Sequence, residues 1–194
     1  MIIKIILVII SYLLGAIPFA YIMIRWTQGV DIREVGSGNV GSTNAMRTAG
    51  KKVALAALLG DLLKGFIAAW LGLHYGGEWL GAACLLAAVI GHCWPVYLSF
   101  SGGRGAATAA GGLILLMPTV ILVLLVIFLL IVVISRYVSL ASISVAVLLP
   151  LIAWFMSEPR SYVVMSIALA VLVVYRHRDN IERLRNGSER KIGS

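Results

Sequence analysis

Apolar residues run almost without interruption over 3 to 24, 53 to 73, 79 to 98, 138 to 157 and 161 to 175. A bilayer core about 30 Å thick takes roughly 20 helical residues at about 1.5 Å each, so each run predicts a membrane-crossing helix. Between them lies 105 to 134, too long for one simple span and short for two, interrupted by Gly111-Gly112 and Pro118. The basic residues decide how it is read. Arg25, Arg33, Arg47, Lys51 and Lys52 flank the first long polar segment, and Arg176, Arg178, Arg183, Arg185, Arg190 and Lys191 fill the tail, which places both blocks in the cytoplasm. An even number of crossings must separate them, so 105 to 134 crosses twice and is broken around Pro118. The expected fold class is all-α: a polytopic membrane helical bundle of seven transmembrane helices, N-terminus outside and C-terminus cytoplasmic, with 1–194 as a single domain.

Composition agrees. Hydrophobic residues make up 61% of the chain and the mean hydropathy is +1.00, which excludes an ordinary soluble domain. The net charge of +8 comes from blocks beside apolar runs rather than from an amphipathic face, so topology explains it and a nucleic-acid partner is not expected. Cys84 and Cys93 have no CxxC spacing and no histidine pair, so both read as small core residues and no metal is expected. The first run has only Lys4 before it and lacks a small-x-small cleavage pattern, so it reads as a retained helix. The closing Gly193 and Ser194 read as residues added in cloning.

Three polar segments, 35–52, 91–112 and 175–192, share the expected cytoplasmic face. The first, VGSGNVGSTNAMRTAGKK, contains GxGxxG at Gly36, Gly38 and Gly41, but no strand precedes it as a dinucleotide fold requires. It also imitates a P-loop without the lysine that contacts phosphate. The shared physics survives: glycines let backbone N–H groups converge on an anion, Ser37, Asn39, Ser42, Thr43 and Asn44 add donors, and Arg47 adds a bidentate fork. A flexible linker is the plain alternative. The second segment, GHCWPVYLSFSGGRGAATAAGG, weakens that alternative because Gly102, Gly103 and Arg104 repeat the chemistry and open directly into a helix whose N-terminus favours an anion. His92, ahead of this turn, reads first as a hydrogen-bonded interior group. In the third segment His177, Arg178 and Asn180 stand within one helical turn, where a polar cluster can face the bundle, and Glu189 can pair with arginines. Asp61 and Lys64, spaced i, i+3, read as a structural ion pair.

Two anion cradles beside an apolar bundle point to phosphorylated substrates, at least one with a hydrocarbon chain. No histidine is followed by aspartate at H-x-x-x-x-D spacing; His177 has Glu182 instead. No Ser-His-Asp or Cys-His constellation offers a covalent nucleophile, and no carboxylate cluster offers paired metals. The strings GSGNVGSTNAMRTAGKK with downstream DLLKG, GHCWPVYLSFSGGRGAATAAGG, and RHRDNIERLRNGSE together resemble the three motifs of the bacterial membrane glycerol-3-phosphate acyltransferase that uses acyl-phosphate. They cover essentially the whole chain. Arg104 stands where the family often has lysine, which keeps the charge and changes its geometry.

The resemblance implies transfer of a fatty acyl group from acyl-phosphate to the 1-hydroxyl of glycerol 3-phosphate, giving lysophosphatidate and phosphate without an acyl-enzyme. It implies no cofactor, no obligate protein partner beyond membrane lipid, and a multi-pass place in the bacterial inner membrane with the site facing the cytoplasm. On this basis Gly38, Asn39, Gly41, Ser42, Thr43, Asn44, Gly102 and Gly103 are expected around the acyl-phosphate. Ser37, Arg47, Arg104, His177, Arg178 and Asn180 are expected on glycerol 3-phosphate, with Asn180 or backbone N–H groups steadying the oxyanion. The proton goes to His177 or to the donor's phosphate, the latter favoured because no base with an orienting partner is visible. Glu189 is expected as a structural tie, with Asp61, Lys64 and His92 structural. The rival reading is a transporter or flippase for a phosphorylated metabolite, against which stand the one-sided motifs and the lack of an inverted repeat.

Overall fold

The computed structural model describes residues 1–192, leaving Gly193 and Ser194 outside the described residues. Among these the chain is all-helical, without a strand. It divides into two units, Met1–Leu115 and the residues from Leu116 onward.

In the first unit the leading apolar run forms two helices, α1 (Ile2–Ala16) and α2 (Phe19–Gln28). Pro18 separates them, since proline lacks the N–H that would continue the ladder. A short 3-10 turn, Ile32–Glu34, leads to α3 (Ser42–Cys93), which is not one rod. Gly50 (φ 81°) and Gly77 (φ 73°) are non-helical within it. A Cβ on Gly72 would overlap Leu80 O and approach Gly81 Cα to 2.7 Å, although eight residues of straight helix span about 12 Å. The chain therefore reverses at Gly77. Residues 51–76 and 78–93 form the arms of a helical hairpin, matching the separate runs 53 to 73 and 79 to 98.

Each arm has its own partner. Ala20 and Ile24 of α2 share a core with Ala54 and Ala57, and Gly60 lies against Phe19. Leu7 of α1 packs with Leu80 and Cys84, and a Cβ on Gly15 or Gly91 would overlap the facing backbone of Ala88 or Tyr12. Helix α4 (Ala106–Leu116) uses the same device, with Gly65 against Thr108, Gly111 against Leu62 and Gly112 against Leu85. Small residues let backbones approach closely where lipid gives no hydrophobic drive for association. Gly111-Gly112, expected as an interruption, is thus a packing face inside a continuous helix. Cys84 and Cys93 are buried free thiols, as core residues should be.

In the second unit α5 (Pro118–Ser135) begins with Pro118 in its first turn, after the non-helical Met117. The break expected around Pro118 is therefore found. Helices α6 (Val138–Phe155) and α7 (Arg160–Arg176) pack together, with α5 also against α6. Helix α7 buries Tyr162, Met165, Ser166, Leu169 and Val173 along one stripe. It then bends by 57° into α8 (Arg178–Arg185). By length and hydropathy four helical stretches reach across a membrane, Ile2–Gln28, Ser42–Leu98, Pro118–Ser135 and Val138–Phe155, and the bent pair α7 and α8 makes a fifth. Ala106–Leu116 is a shorter apolar helix.

Candidate active site

In the first unit the segment read as a loop is half helix. A turn closed by Gly38 N donating to Val35 O precedes Gly41, the N-cap of a short helix carrying Ser42, Thr43, Asn44 and Arg47. Gly36 (φ 63°) and Gly38 (φ 71°) sit in the left-handed region. Amides of a helix's first turn have no partner within it, so the start of α3, at Ser42 and Thr43, offers N–H groups to an anion.

Asn44 is used differently. It is 2% exposed, and its Oδ1 accepts from Ser37 N at 2.8 Å. Its Nδ2 donates to Ile32 O at 3.2 Å and Val35 O at 3.0 Å. The amide shapes the loop rather than projecting from it. Arg47 lies exposed on the next turn.

The second motif is carried onto the same core. Leu98, at the end of the 3-10 turn Val96–Leu98, packs with Ile32, Val40 and Ala45 beneath the first loop. Ser99 (φ 49°) and Phe100 (φ 62°) are then left-handed although neither is glycine, a strain that clusters at functional loops. Gly103 N donates to His92 O at 3.0 Å, which folds the turn back on the end of α3. Gly102 is held against His92 and Cys93 carbonyls, where a Cβ would not fit. Gly103 is buried, Arg104 half-buried, and α4 begins two residues later.

In the second unit the elbow between α7 and α8 is His177, 3% exposed. Its Nδ1 lies 2.7 Å from Val173 O. A carbonyl only accepts, so Nδ1 carries the proton in this contact. The orienting partner that sequence left invisible is therefore a main-chain oxygen. Asn180, one turn on, is 2% exposed. Its Nδ2 donates to Glu189 Oε1 at 2.7 Å, which fixes the amide's orientation because a carboxylate cannot donate. Asn180 Oδ1 is left buried with no hydrogen-bond partner. The open atom is thus an acceptor, which suits a hydroxyl better than the oxyanion expected at this residue.

Glu189 joins side chains from α6 and α8. Ser139 Oγ from α6 donates to Oε1 at 2.7 Å, and Arg183 Nε to Oε2 at 2.7 Å. Burial pushes its carboxyl up, but the bonds from Ser139, Arg183 and Asn180 outweigh this and hold it below its ordinary range. Arg178 does not join His177 and Asn180 in the interior. Its side chain is 55% exposed, stacked over the Tyr175 ring at 4.9 Å and 3.6 Å from Asp179. Ser139, Arg183 and the Val173 carbonyl were not singled out beforehand. Arg183 lies six residues from Glu189, but Ser139 had no legible signal.

Among the described residues no group of histidine, cysteine and carboxylate side chains could hold a metal ion. Asp61, Lys64 and His92 are brought together in the interior of the first unit.

The sequence model of the glycerol-3-phosphate acyltransferase family matches residues 5–187. A protein of that name from Syntrophomonas wolfei is 57% identical over 186 residues, covering 96% of this chain and 95% of its own. Another from Rubrobacter xylanophilus is 43% identical, covering 98% and 96%. Two crystal structures of PlsY (YgiH), an integral membrane glycerol 3-phosphate acyltransferase, are similar throughout. The glycerol 3-phosphate form is 42% identical with a TM-score of 0.93, covering 98% of this chain and 96% of that one. The lysophosphatidic acid form is 40% identical with a TM-score of 0.92, covering 98% and 95%. With a family model spanning nearly all its length, close relatives and matching folds, the chain belongs to the glycerol-3-phosphate acyltransferase family of integral membrane proteins.

Proposed function

We propose that the protein transfers a fatty acyl group from an acyl-phosphate to the 1-hydroxyl of glycerol 3-phosphate, releasing lysophosphatidate and inorganic phosphate. The observation that carries this reading is Asn180 Oδ1, a buried acceptor without a donor, one helical turn from the oriented His177. Leaving such an atom unpaired costs about 1–3 kcal/mol, which a substrate hydroxyl would recover on binding. The names of the relatives and the glycerol 3-phosphate form of PlsY support glycerol 3-phosphate as the molecule bearing that hydroxyl.

An acyl-phosphate is a mixed anhydride and already activated. Positioning and electrostatics then suffice without a protein nucleophile. The hydroxyl oxygen attacks the acyl carbonyl carbon, the bond from that carbon to the phosphate oxygen breaks, and the proton leaves on the phosphate. Asn180 Oδ1 accepts from one hydroxyl of glycerol 3-phosphate, and the His177 ring, held by the Val173 carbonyl, lines the same site. Backbone N–H groups steady the developing oxyanion. Gly38, Asn39, Gly41, Ser42, Thr43, Gly102 and Gly103 form the cradle for the donor phosphate, with Asn44 shaping it from beneath. Ser37, Arg47, Arg104 and Arg178 supply hydroxyl and guanidinium contacts to the acceptor's phosphate.

In the membrane we read seven crossings, with N-terminus outside, the site on the cytoplasmic face and the protein in the bacterial inner membrane. The run α1 and α2 crosses once, each arm of α3 once, and α4, α5, α6 and α7 once each. Helix α4, with eleven residues, reaches only about 16 Å, so it is the short partner that the charge count required.

Steady-state kinetics of Arg47→Ala and Asn180→Ala test the assignment. Both should depress kcat/KM for glycerol 3-phosphate by roughly 100-fold. Full turnover with unchanged Michaelis constants would overturn the site map. His177→Gln, followed across pH, separates the two proton routes. Retained turnover supports transfer to the donor's phosphate, and complete loss with normal binding makes histidine the base.

A further inference from the structure

We propose that Lys64, Asp61 and His92 form a buried chain of contacts that positions the Gly102-Gly103 turn, and so sets the affinity for the donor's phosphate. It rests on the reading that this turn receives that phosphate. The three side chains are 1%, 2% and 7% exposed, and Asp61 and Lys64 lie within a membrane-crossing stretch. Charges there are expensive, and a buried pair is often replaced by apolar residues without loss of stability. A purely structural role accounts poorly for such a pair with a buried histidine beside it.

Their contacts run in one direction. Lys64 Nζ donates to Ile17 O at 2.9 Å, the carbonyl at the Pro18 break that no helical N–H serves. The same Nζ lies 2.8 Å from Asp61 Oδ1 and 5.8 Å from the Phe19 ring centroid. Asp61 Oδ1 is in turn 3.4 Å from His92 Nδ1. That carboxylate oxygen is thus shared between the Lys64 ammonium and the His92 ring.

The far edge of the His92 ring lies against Gly103. A Cβ on Gly103 would overlap Nε2, and the histidine's own carbonyl accepts from Gly103 N at 3.0 Å. Gly103 is therefore fixed on two sides by one residue. Arg104 follows immediately, and the N-terminus of α4 lies just beyond. A ring freed from Asp61 would loosen its side of this turn while leaving the main-chain bond to the His92 carbonyl in place. His92 is thus a positioning residue, acting through the turn rather than on substrate.

The test compares Michaelis constants for both substrates in the full-length protein. His92→Leu should raise KM for acyl-phosphate about tenfold and leave KM for glycerol 3-phosphate within twofold. His92→Gln, which keeps a polar contact toward Asp61, should recover most of the donor affinity. The double variant Asp61→Leu/Lys64→Met removes both charges together and should reproduce the donor-selective rise, which keeps the test open if His92→Leu fails to fold. Unchanged constants, or equal loss toward both substrates, would overturn the proposal. Wild-type protein that does not turn over acyl-phosphate at all would instead overturn the functional reading.

Discussion

Asn180 and Asn44 show how the same side chain serves two ends. Asn44 has three hydrogen bonds to the main chain around it, so Asn44→Ala should lower thermal stability by about 2 kcal/mol and raise KM for the acyl donor, both measurable in detergent solution. Asn180 spends its donor on Glu189 and leaves its acceptor open. Glu189 has a depressed folded pKa, so its contribution is present above the ordinary value of 4.5 and is lost as pH falls through the folded value. The stability gap between wild type and Glu189→Gln should therefore be full near neutrality and close on acidification. A gap that widened toward low pH would contradict the sign. The sequence made the candidate residues legible because glycine, hydroxyl and guanidinium groups cluster in three short strings. It did not show which atom of each was already used. The Val173 carbonyl orienting His177 and the Ser139 hydroxyl on Glu189 carry no side-chain pattern that sequence alone can weigh.

At the scale of helices, the apolar runs located the elements and glycine chemistry set their ends. Pro118 was readable as a break because proline cannot continue a helix. Pro18, by the same rule, divides the run 3 to 24, and the Lys64 ammonium donates to the Ile17 carbonyl beside that break. Gly111-Gly112 misled because glycine both weakens an isolated helix and permits close packing, and only the partner helix decides between these. Helix α4 is held through Gly65, Gly111 and Gly112, so Gly111→Val should force the backbones of α4 and the first α3 arm apart. The expected cost is about 2–3 kcal/mol, read as a lowered Tm with a parallel loss of activity. Wild-type stability in this variant would show that the contact gives way easily.

For the whole molecule, the counting of basic blocks predicts orientation and seven crossings, whereas length and hydropathy pick out four or five among the described residues, with the α3 hairpin taken as one stretch and α4 classed as a shorter helix. Native Cys84 and Cys93 are buried, so introduced cysteines can report topology against a low background. Glu78→Cys should label with an impermeant maleimide from outside intact cells, and Ser188→Cys only after lysis. The opposite pattern would overturn the seven-crossing reading. Under the proposed function, that orientation would bring a water-soluble acceptor and a membrane-borne donor to one face. The most direct measurement is product formation by purified, folded protein given acyl-phosphate and glycerol 3-phosphate, with acyl-CoA as the parallel donor. Lysophosphatidate and inorganic phosphate should appear in equal amounts from acyl-phosphate and not from acyl-CoA; no product, or product from acyl-CoA alone, would contradict the account.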